Sequence, residues 1–272
     1  MLSGDPRRSV VEDIQELRRR ERRDALGHYV VEGARFVHEA LTTRTPILRA
    51  AVAPELCAAP AREAARRLAR AVEVEEVSAA AFRAFSRADE PSGIAAVVAL
   101  RRSTLPRPAR GATPLWLAFG GLRTPGNVGT TLRTALAAGA AGALFLDARV
   151  DPWDPACVRA SMGAVLRLPL VRATPQHLAA WARRVGAVVV GTSAHAARTP
   201  DALPRRRPTV VLVGCERRGL SRAERRICDV AVRIPMAAGV PSLNVAVAAG
   251  VLLFAARDAL ADSRCARTRQ PR

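Results

Sequence analysis

Lysine is absent from this 272-residue chain: all 43 basic residues are arginine, which reflects codon bias as much as chemistry. Cysteine is scarce, and its five copies (Cys57, Cys157, Cys215, Cys228, Cys265) are odd in number and form no Cys-x-x-Cys pair. That argues against a disulfide framework or zinc site and for a reducing compartment. The four histidines (His28, His38, His177, His195) show no metal-ligand spacing, so no metal is expected. No apolar signal core follows the opening Met1-Leu-Ser-Gly-Asp-Pro-Arg-Arg. The longest apolar run, 245–256, is too short to cross a bilayer and is flanked by Asn244 and Arg257. These absences point to a soluble, cytoplasmic protein with no membrane partner. Two nucleotide signatures are also missing. No Gly-x-Gly-x-x-Gly follows the first strand of the second half, and no Gly-x-x-x-x-Gly-Lys-Ser/Thr occurs anywhere. Dehydrogenase and P-loop NTPase readings are weakened accordingly.

What is present begins with a lopsided charge. The chain is 49% hydrophobic and 25% charged, an ordinary globular composition, but its formal charge is +19. Residues 1–103 hold 18 Arg against 15 acids, whereas residues 104–272 hold 25 Arg against 9. So strong a field favours a polyanionic partner, and the planar guanidinium suits phosphate. The bland alternative is that Arg-rich proteomes make many basic proteins with no nucleic-acid partner.

The length allows one or two domains. Asp5-Pro6 is a good helix start, and Val10, Ile14 and Leu17 follow at helical spacing. Arg18, Arg19, Arg20, Arg22 and Arg23, mixed with Glu21 and Asp24, read either as a solvated, ion-paired helix face or as an RNA-facing one. Strands at 29–31, 47–52, 72–77 and 94–100 alternate with helices at 34–41, 60–70 and 79–85, which makes a small α/β domain over 1–103. Three prolines and a glycine interrupt residues 101–114; we take 104–114 as linker. Beyond it, near-continuous apolar strands are expected at 115–119, 143–147, 168–171, 187–191, 210–214 and 230–234. Helices fall at 128–138, 156–162, 175–184, 221–228 and 242–261. That pattern predicts a mostly parallel sheet covered on both faces, spanning 115–262 and followed by a disordered basic tail at 263–272.

Three segments of the second half interrupt apolar runs with polar or glycine residues where strands end or helices begin. They are Asn127-Val-Gly-Thr-Thr-Leu-Arg133, Gly214-Cys-Glu216-Arg-Arg-Gly219-Leu220, and Ile234-Pro-Met236 with Ser242-Leu243-Asn244. Backbone groups are free to bind ligands at such junctions, and ligands of open parallel sheets sit beyond the carboxyl ends of the strands. A core has no use for Asn, Glu, Ser and Asn at these points; a binding site does.

With Pro125-Gly leading the first segment and Gly239-Val-Pro inside the third, these stretches resemble the three motifs of the SpoU (TrmH-type) RNA ribose 2′-O-methyltransferases of the SPOUT superfamily. Tyr29-Val-Val-Glu32-Gly33-Ala-Arg35 and Glu90-Pro-Ser-Gly93-Ile-Ala-Ala-Val-Val are similar to the opening and the closing strand of that family's substrate-binding domain. The resemblance implies an α/β, trefoil-knotted, mostly parallel sheet with a smaller N-terminal substrate-binding domain. It also implies a homodimer and S-adenosylmethionine as methyl donor.

By the same resemblance, Gly214, Ile234 and Leu243 hold the cofactor, with Thr192 and Ser193 as further candidates after the 187–191 strand. Glycine serves where main chain approaches ligand, and Ile and Leu supply apolar walls. Asn127 and Arg133, six apart and read as one side of a helix, join Glu216, Ser242 and Asn244 as the catalytic set. Methyl transfer to a ribose hydroxyl needs its proton withdrawn and the nucleophile aligned. Arginine stays protonated in proteins, so phosphate clamping and alkoxide stabilisation suit Arg133 better than a role as base. Ser242 can equally cap a helix, and Glu216 can be an acid at a helix start. The chain departs from the family at Gly120 and Thr124, where acidic residues are frequent, and at Arg217 and Arg218, where Gly or Glu is frequent. The expected activity is 2′-O-methylation of structured RNA, ribosomal RNA first and tRNA second, with antibiotic resistance as one possible outcome. A non-catalytic RNA-binding protein of the same fold is the alternative.

Overall fold

The computed structural model describes residues 8–265 except Ala148 and Pro241, with backbone only for 262–265. In chain order its elements are α1 (Val10–Glu16), α2 (Arg20–Leu26), β1 (His28–Glu32), α3 (Ala34–Thr42), β2 (Ile47–Val52), α4 (Ala59–Leu68), β3 (Val74–Glu76), α5 (Ala79–Phe85) and β4 (Ile94–Ala99). There follow β5 (Leu115–Phe119), α6 (Pro125–Ala137), β6 (Gly142–Phe145), α7 (Pro155–Ala160), α8 (Ala164–Arg167), β7 (Leu170–Arg172), α9 (Pro175–Val185) and β8 (Val188–Thr192). The last are β9 (Thr209–Val213), α10 (Arg222–Arg226), β10 (Val230–Val232) and α11 (Val245–Cys265). The chain divides into two compact units, Met1–Arg101 with Asp151–Arg167, and Arg102–Val150 with Leu168–Arg272.

The first unit is built on a four-stranded sheet of order β1-β4-β2-β3, antiparallel except for the β2–β3 pair. The central strand, Ile94–Ala99, is buried along nearly its whole length, as a strand covered on both faces must be. Helix α1 buries Val10 and Ile14, and Leu17 beyond its end, against Phe82 and Phe85 of α5. Ser9 caps it by accepting from the Val11 amide at 3.2 Å, so the helix begins at Val10. The start expected at Asp5-Pro6 lies outside the described residues.

The arginine-rich stretch that follows departs from its sequence reading. Arg18 to Arg23 do not form one solvated face. Arg23 is 3% exposed. It donates to the carbonyls of Leu17 and Arg18 at 2.7 Å each and pairs with Asp151 at 2.5 Å. The guanidinium thus satisfies carbonyls left open at the end of α1 and ties Asp151 into this unit. Burying a charge costs several kcal/mol unless such partners are present.

The second unit is a six-stranded sheet of order β10-β8-β9-β5-β6-β7, parallel at every pairing. Strands β5 and β9 are buried at all five positions each, because helices cover both faces. Helix α6 starts with Pro125 at its first turn, where a missing N–H costs nothing, and turns Val128, Leu132 and Ala135 inward at i, i+4 and i+7. Trp181 of α9 meets Trp116 of β5 edge-on at 5.7 Å and donates to the Pro106 carbonyl at 2.7 Å. With Leu105 against the same core, part of the expected linker is therefore packed down. Helix α11 continues to Cys265, into the first residues of the expected tail; residues 266–272 lie outside the described residues. The order of strands reverses beside β5: β6 and β7 lie on one side, β9, β8 and β10 on the other. Crevices at such switch points are where parallel sheets hold ligands.

Candidate active site

Beyond the carboxyl ends of β8, β9 and β10 lies a cavity of about 640 Å³. Its walls include Thr192 and Ser193 after β8, Gly214, Glu216 and Leu220 after β9, and Ile234, Ser242 and Leu243 on the way to α11. The five residues expected to hold a cofactor therefore line one space, together with two of the expected catalytic residues, Glu216 and Ser242. Apolar walls with a few polar groups, in this size range, are the ordinary make-up of a small-molecule site.

The loop 214–220 is shaped by its own main chain. Cys215 and Gly219 exchange two backbone hydrogen bonds, at 3.0 and 2.8 Å, so the chain folds back sharply and presents Glu216, Arg217 and Arg218 at its tip. A Cβ on Gly214 would stand 2.4 Å from the carbonyl carbon of Gly219. The glycine is thus required by main chain meeting main chain, not by a ligand alone. Next to it, Ser221 and Glu224 form a reciprocal capping box that starts α10. The Glu224 carboxylate, 6% exposed, fills the space above Gly120, where a Cβ would lie 2.6 Å from Oε1. A side chain at position 120 would have to displace the Glu224 carboxylate.

Asn127, Glu216 and Asn244 come from three distant segments and form one hydrogen-bonded chain. Asn244 Oδ1 accepts from the Ala246 amide at 2.8 Å and so caps α11. Its Nδ2 must then donate, and does, to Asn127 Oδ1 at 3.2 Å. Asn127 Nδ2 donates in turn to Glu216 Oε1 at 3.1 Å. An ionised carboxylate only accepts, so the direction of the relay is determined at both ends. Two sequence expectations are corrected. Asn244, rather than Ser242, caps the helix, which begins at Val245, three residues later than expected. Glu216 lies in the loop tip, not at a helix start.

Arg133 stands apart. Six residues advance a helix by about 600°, which leaves Arg133 about 120° round from Asn127 and not on its side. It is exposed, does not line the cavity, and has no hydrogen-bond or ion-pair partner among the described residues. Sequence reasoning also passed over residues that do line it. His195, noted in the sequence only for lacking metal-ligand spacing, is at the rim, and Cys215 and Cys228 are in the wall. Their signal was position alone, directly after β8 and β9 and before β10. Burial pushes the Cys228 thiol up to about 12, helped by Asp229 and Glu224, so it stays protonated at neutral pH. At the end of β6, the Arg149 guanidinium bonded to Asp147 at 2.9 Å holds that carboxyl below its ordinary range. No group of three or more His, Cys, Asp or Glu among the described residues is placed to hold a metal.

Comparison with known proteins follows this geometry. Residues 114–254 match the family model described as the SpoU rRNA Methylase family, and residues 8–96 match the MRM3-like substrate binding domain. A 23S rRNA (uridine(2479)-2′-O)-methyltransferase of Streptomyces viridochromogenes is 35% identical over 201 residues, covering 71% of this chain and 70% of that protein. The 23S rRNA (guanosine-2′-O-)-methyltransferase RlmB of Pseudomonas aeruginosa is 39% identical over 144 residues, 52% of this chain and 57% of that one. This chain thus spans little more than half the length of some curated relatives. The crystal structure of the SpoU methyltransferase AviRb from S. viridochromogenes with AdoMet superposes with a TM-score of 0.83 at 31% identity, over 93% of this chain and 98% of that one. With residues 114–254 and 8–96 both matched, the chain belongs to the SpoU rRNA methylase family.

Proposed function

We propose that this protein transfers a methyl group from S-adenosylmethionine to a ribose 2′-hydroxyl of ribosomal RNA. The observation that carries the reading is the Asn127–Glu216–Asn244 relay beside a cavity lined by Gly214, Ile234 and Leu243. A nucleoside donor fits that cavity: Ile234, Leu243 and Leu252 offer apolar faces to its rings, and Thr192, Ser193 and the 214–216 backbone offer polar groups to its edges. When bound, it supplies an electrophilic methyl on sulfur. The chain's own residues do the rest. Glu216, oriented by Asn127, holds the ribose hydroxyl or a water next to it and draws off proton density as the oxygen attacks. Asn244 fixes the relay to the start of α11 and so limits how far Glu216 can turn. Ser242, exposed at the cavity wall, is placed to hydrogen-bond either donor or ribose.

Arg133 does not reach the cavity of its own chain, and a second copy gives it a place in this reading. Val247 and Val251 are 53% and 42% exposed on one face of α11, an apolar stripe that a homodimer would cover. Helix α11 packs on α6, close enough that a Cβ on Gly250 would lie 3.3 Å from Thr134, next to Arg133. Pairing through that face carries Arg133 toward the copy's RNA, where it clamps phosphate and stabilises the developing alkoxide. The fold's knotted segments, which family membership implies, are the 214–220 and 234–244 loops. Residues 1–103 serve as the substrate-binding domain. No helix among the described residues is long and apolar enough to cross a membrane; the cytoplasm is the compartment this reading assigns, in keeping with relatives that modify ribosomal RNA.

The names of the relatives favour ribosomal RNA over tRNA. The test is transfer of labelled methyl from S-adenosylmethionine to protein-free 23S rRNA and to total tRNA, followed by ribose-methylation mapping. Incorporation into 23S rRNA at one ribose is expected. Binding of RNA without incorporation would support the non-catalytic alternative, and incorporation into tRNA alone would move the substrate.

A further inference from the structure

The first unit contains a second, smaller cavity of about 240 Å³, below the roughly 300–1,000 Å³ typical of drug-sized ligand sites. It has room for one flat ring system. Val30, Phe36, Phe85 and Val158 form apolar walls, and Glu32 and Ser92 face the same space. Two segments singled out in the sequence meet here: the Gly33 amide donates to the Ile94 carbonyl at 2.8 Å, and Glu32 pairs with Ala95 across the sheet. The Ser92 hydroxyl is buried with no hydrogen-bond partner. The Glu32 carboxylate accepts from the Ser86 hydroxyl and from the Arg87 amide at 3.3 Å. About half of its lone-pair sites stay open. Around the rim, Arg18 donates to the Phe85 carbonyl at 2.6 Å and Arg159 to that of Arg87, while Arg87 itself is exposed. Glu90 is the one acid beside these three arginines at the rim.

We propose that this slot takes a single unpaired nucleobase of the RNA substrate, a proposal that rests on RNA being the substrate as read above. Sequence-specific RNA recognition lifts unstacked bases onto aromatic faces and reads their edges by hydrogen bonds. Phe36, half-buried at the slot, supplies the face. Glu32 accepts from an amino or imino group, which favours a base edge with adjacent N–H donors, such as the N1–H and N2–H of guanine. Ser92 supplies the further donor or acceptor that its free hydroxyl allows. An apolar protein side chain would fill the walls and leave both polar groups unmet. The arginine rim matches the phosphates that flank a base. The slot thereby sets which loop of the RNA docks, separately from the chemistry in the second unit.

The experiment uses the full chain with protein-free 23S rRNA and S-adenosylmethionine. Ultraviolet cross-linking, digestion and mass spectrometry are expected to place a nucleotide adduct on Phe36. Glu32→Gln, which keeps size and the Ser86 bond, and Ser92→Val should each weaken rRNA binding about fivefold or more. Donor uptake and melting temperature, measured alongside, should stay at wild-type values and show that the variants fold. Adducts confined to the second unit, or variants that bind rRNA as tightly as wild type, would overturn the proposal. Cross-links from the slot to a second copy of the chain in the absence of RNA would also overturn it, by making the slot a chain–chain contact. If wild type binds no RNA at all, the proposed function fails and the slot's assignment with it; wild-type methylation with unaffected variants sinks the slot alone.

Discussion

Residues 18–23 and residues 217–226 each hold five arginines, and the tertiary structure uses them in opposite ways. Arg23 is 3% exposed, with two carbonyls and a carboxylate around its guanidinium. Arg8 and Arg22 both pair with Glu16 nearby. Arg217, Arg218, Arg222 and Arg226 are exposed beside the candidate active site. Only Arg225 of that group folds back, onto the Leu220 carbonyl. In the first set Arg20, Arg22 and Arg23 pair with acids of the fold; the second set projects its charge outward. Counting arginines could not separate them, since the difference lies in whether acids and open carbonyls converge on the guanidinium.

The sharpest way to break this contrast is Arg23→Ala. It strands Asp151 and two carbonyls in a buried place and is expected to cost about 3–5 kcal/mol in urea unfolding. Arg217→Ala should stay within about 0.5 kcal/mol of wild type. Equal losses would erase the distinction. Next in size is Asn127→Asp, which sets a second carboxylate against Glu216 and cuts the relay at its centre. Single-turnover methyl transfer should fall about 100-fold or more while donor binding by calorimetry is retained; an unchanged rate would remove the relay from the chemistry. The double change Arg217→Ala with Arg218→Ala should lower the slope of log K for RNA against log salt by about 2 through lost counterion release. A slope equal to wild type would mean that the loop tip faces away from RNA.

The smallest effect is expected at Asp147. Its folded carboxyl titrates below the ordinary range because Arg149 is bonded to it. That contribution is fully present above the unfolded carboxylate value and is lost as pH falls through the folded one. Arg149 is largely exposed, so solvent screens the pair and the gain is slight. Asp147→Asn removes that contribution, so it should lower neutral-pH stability slightly, leave the acid limit unchanged and flatten the profile between them. A loss that persists below the folded value would reveal a structural role beyond the ion pair.

Much of the architecture could be read from the residues. Strands 47–52 and 115–119 and helix 79–85 were expected at the bounds they adopt, because continuous or periodic apolar residues stop at Pro, Ser or Gly. Boundaries slipped where capping decides the end, as at Asn244. A regular pattern carries the body of a helix, but one side chain's hydrogen bond sets where it starts. The site was legible as three interrupted segments with a family likeness. Its relay was not, since Asn127 lies 89 residues from Glu216 and 117 from Asn244. The segment Asp151–Arg167 offered no sign of joining the N-terminal unit, for the buried partner that ties it there is Arg23.

The order of apolar and polar residues along the chain was enough to specify two α/β units, a parallel sheet in the second, and ligand chemistry at the ends of its strands. Those features depend on neighbours within a few residues, where spacing alone dictates which face is buried. Folding in three dimensions decided that Arg23 is internal, that the Glu224 carboxylate packs over Gly120, and that Arg133 points away from Asn127. Each of these is set by which distant groups come within hydrogen-bond or van der Waals reach, a relation between separate segments that no local pattern encodes.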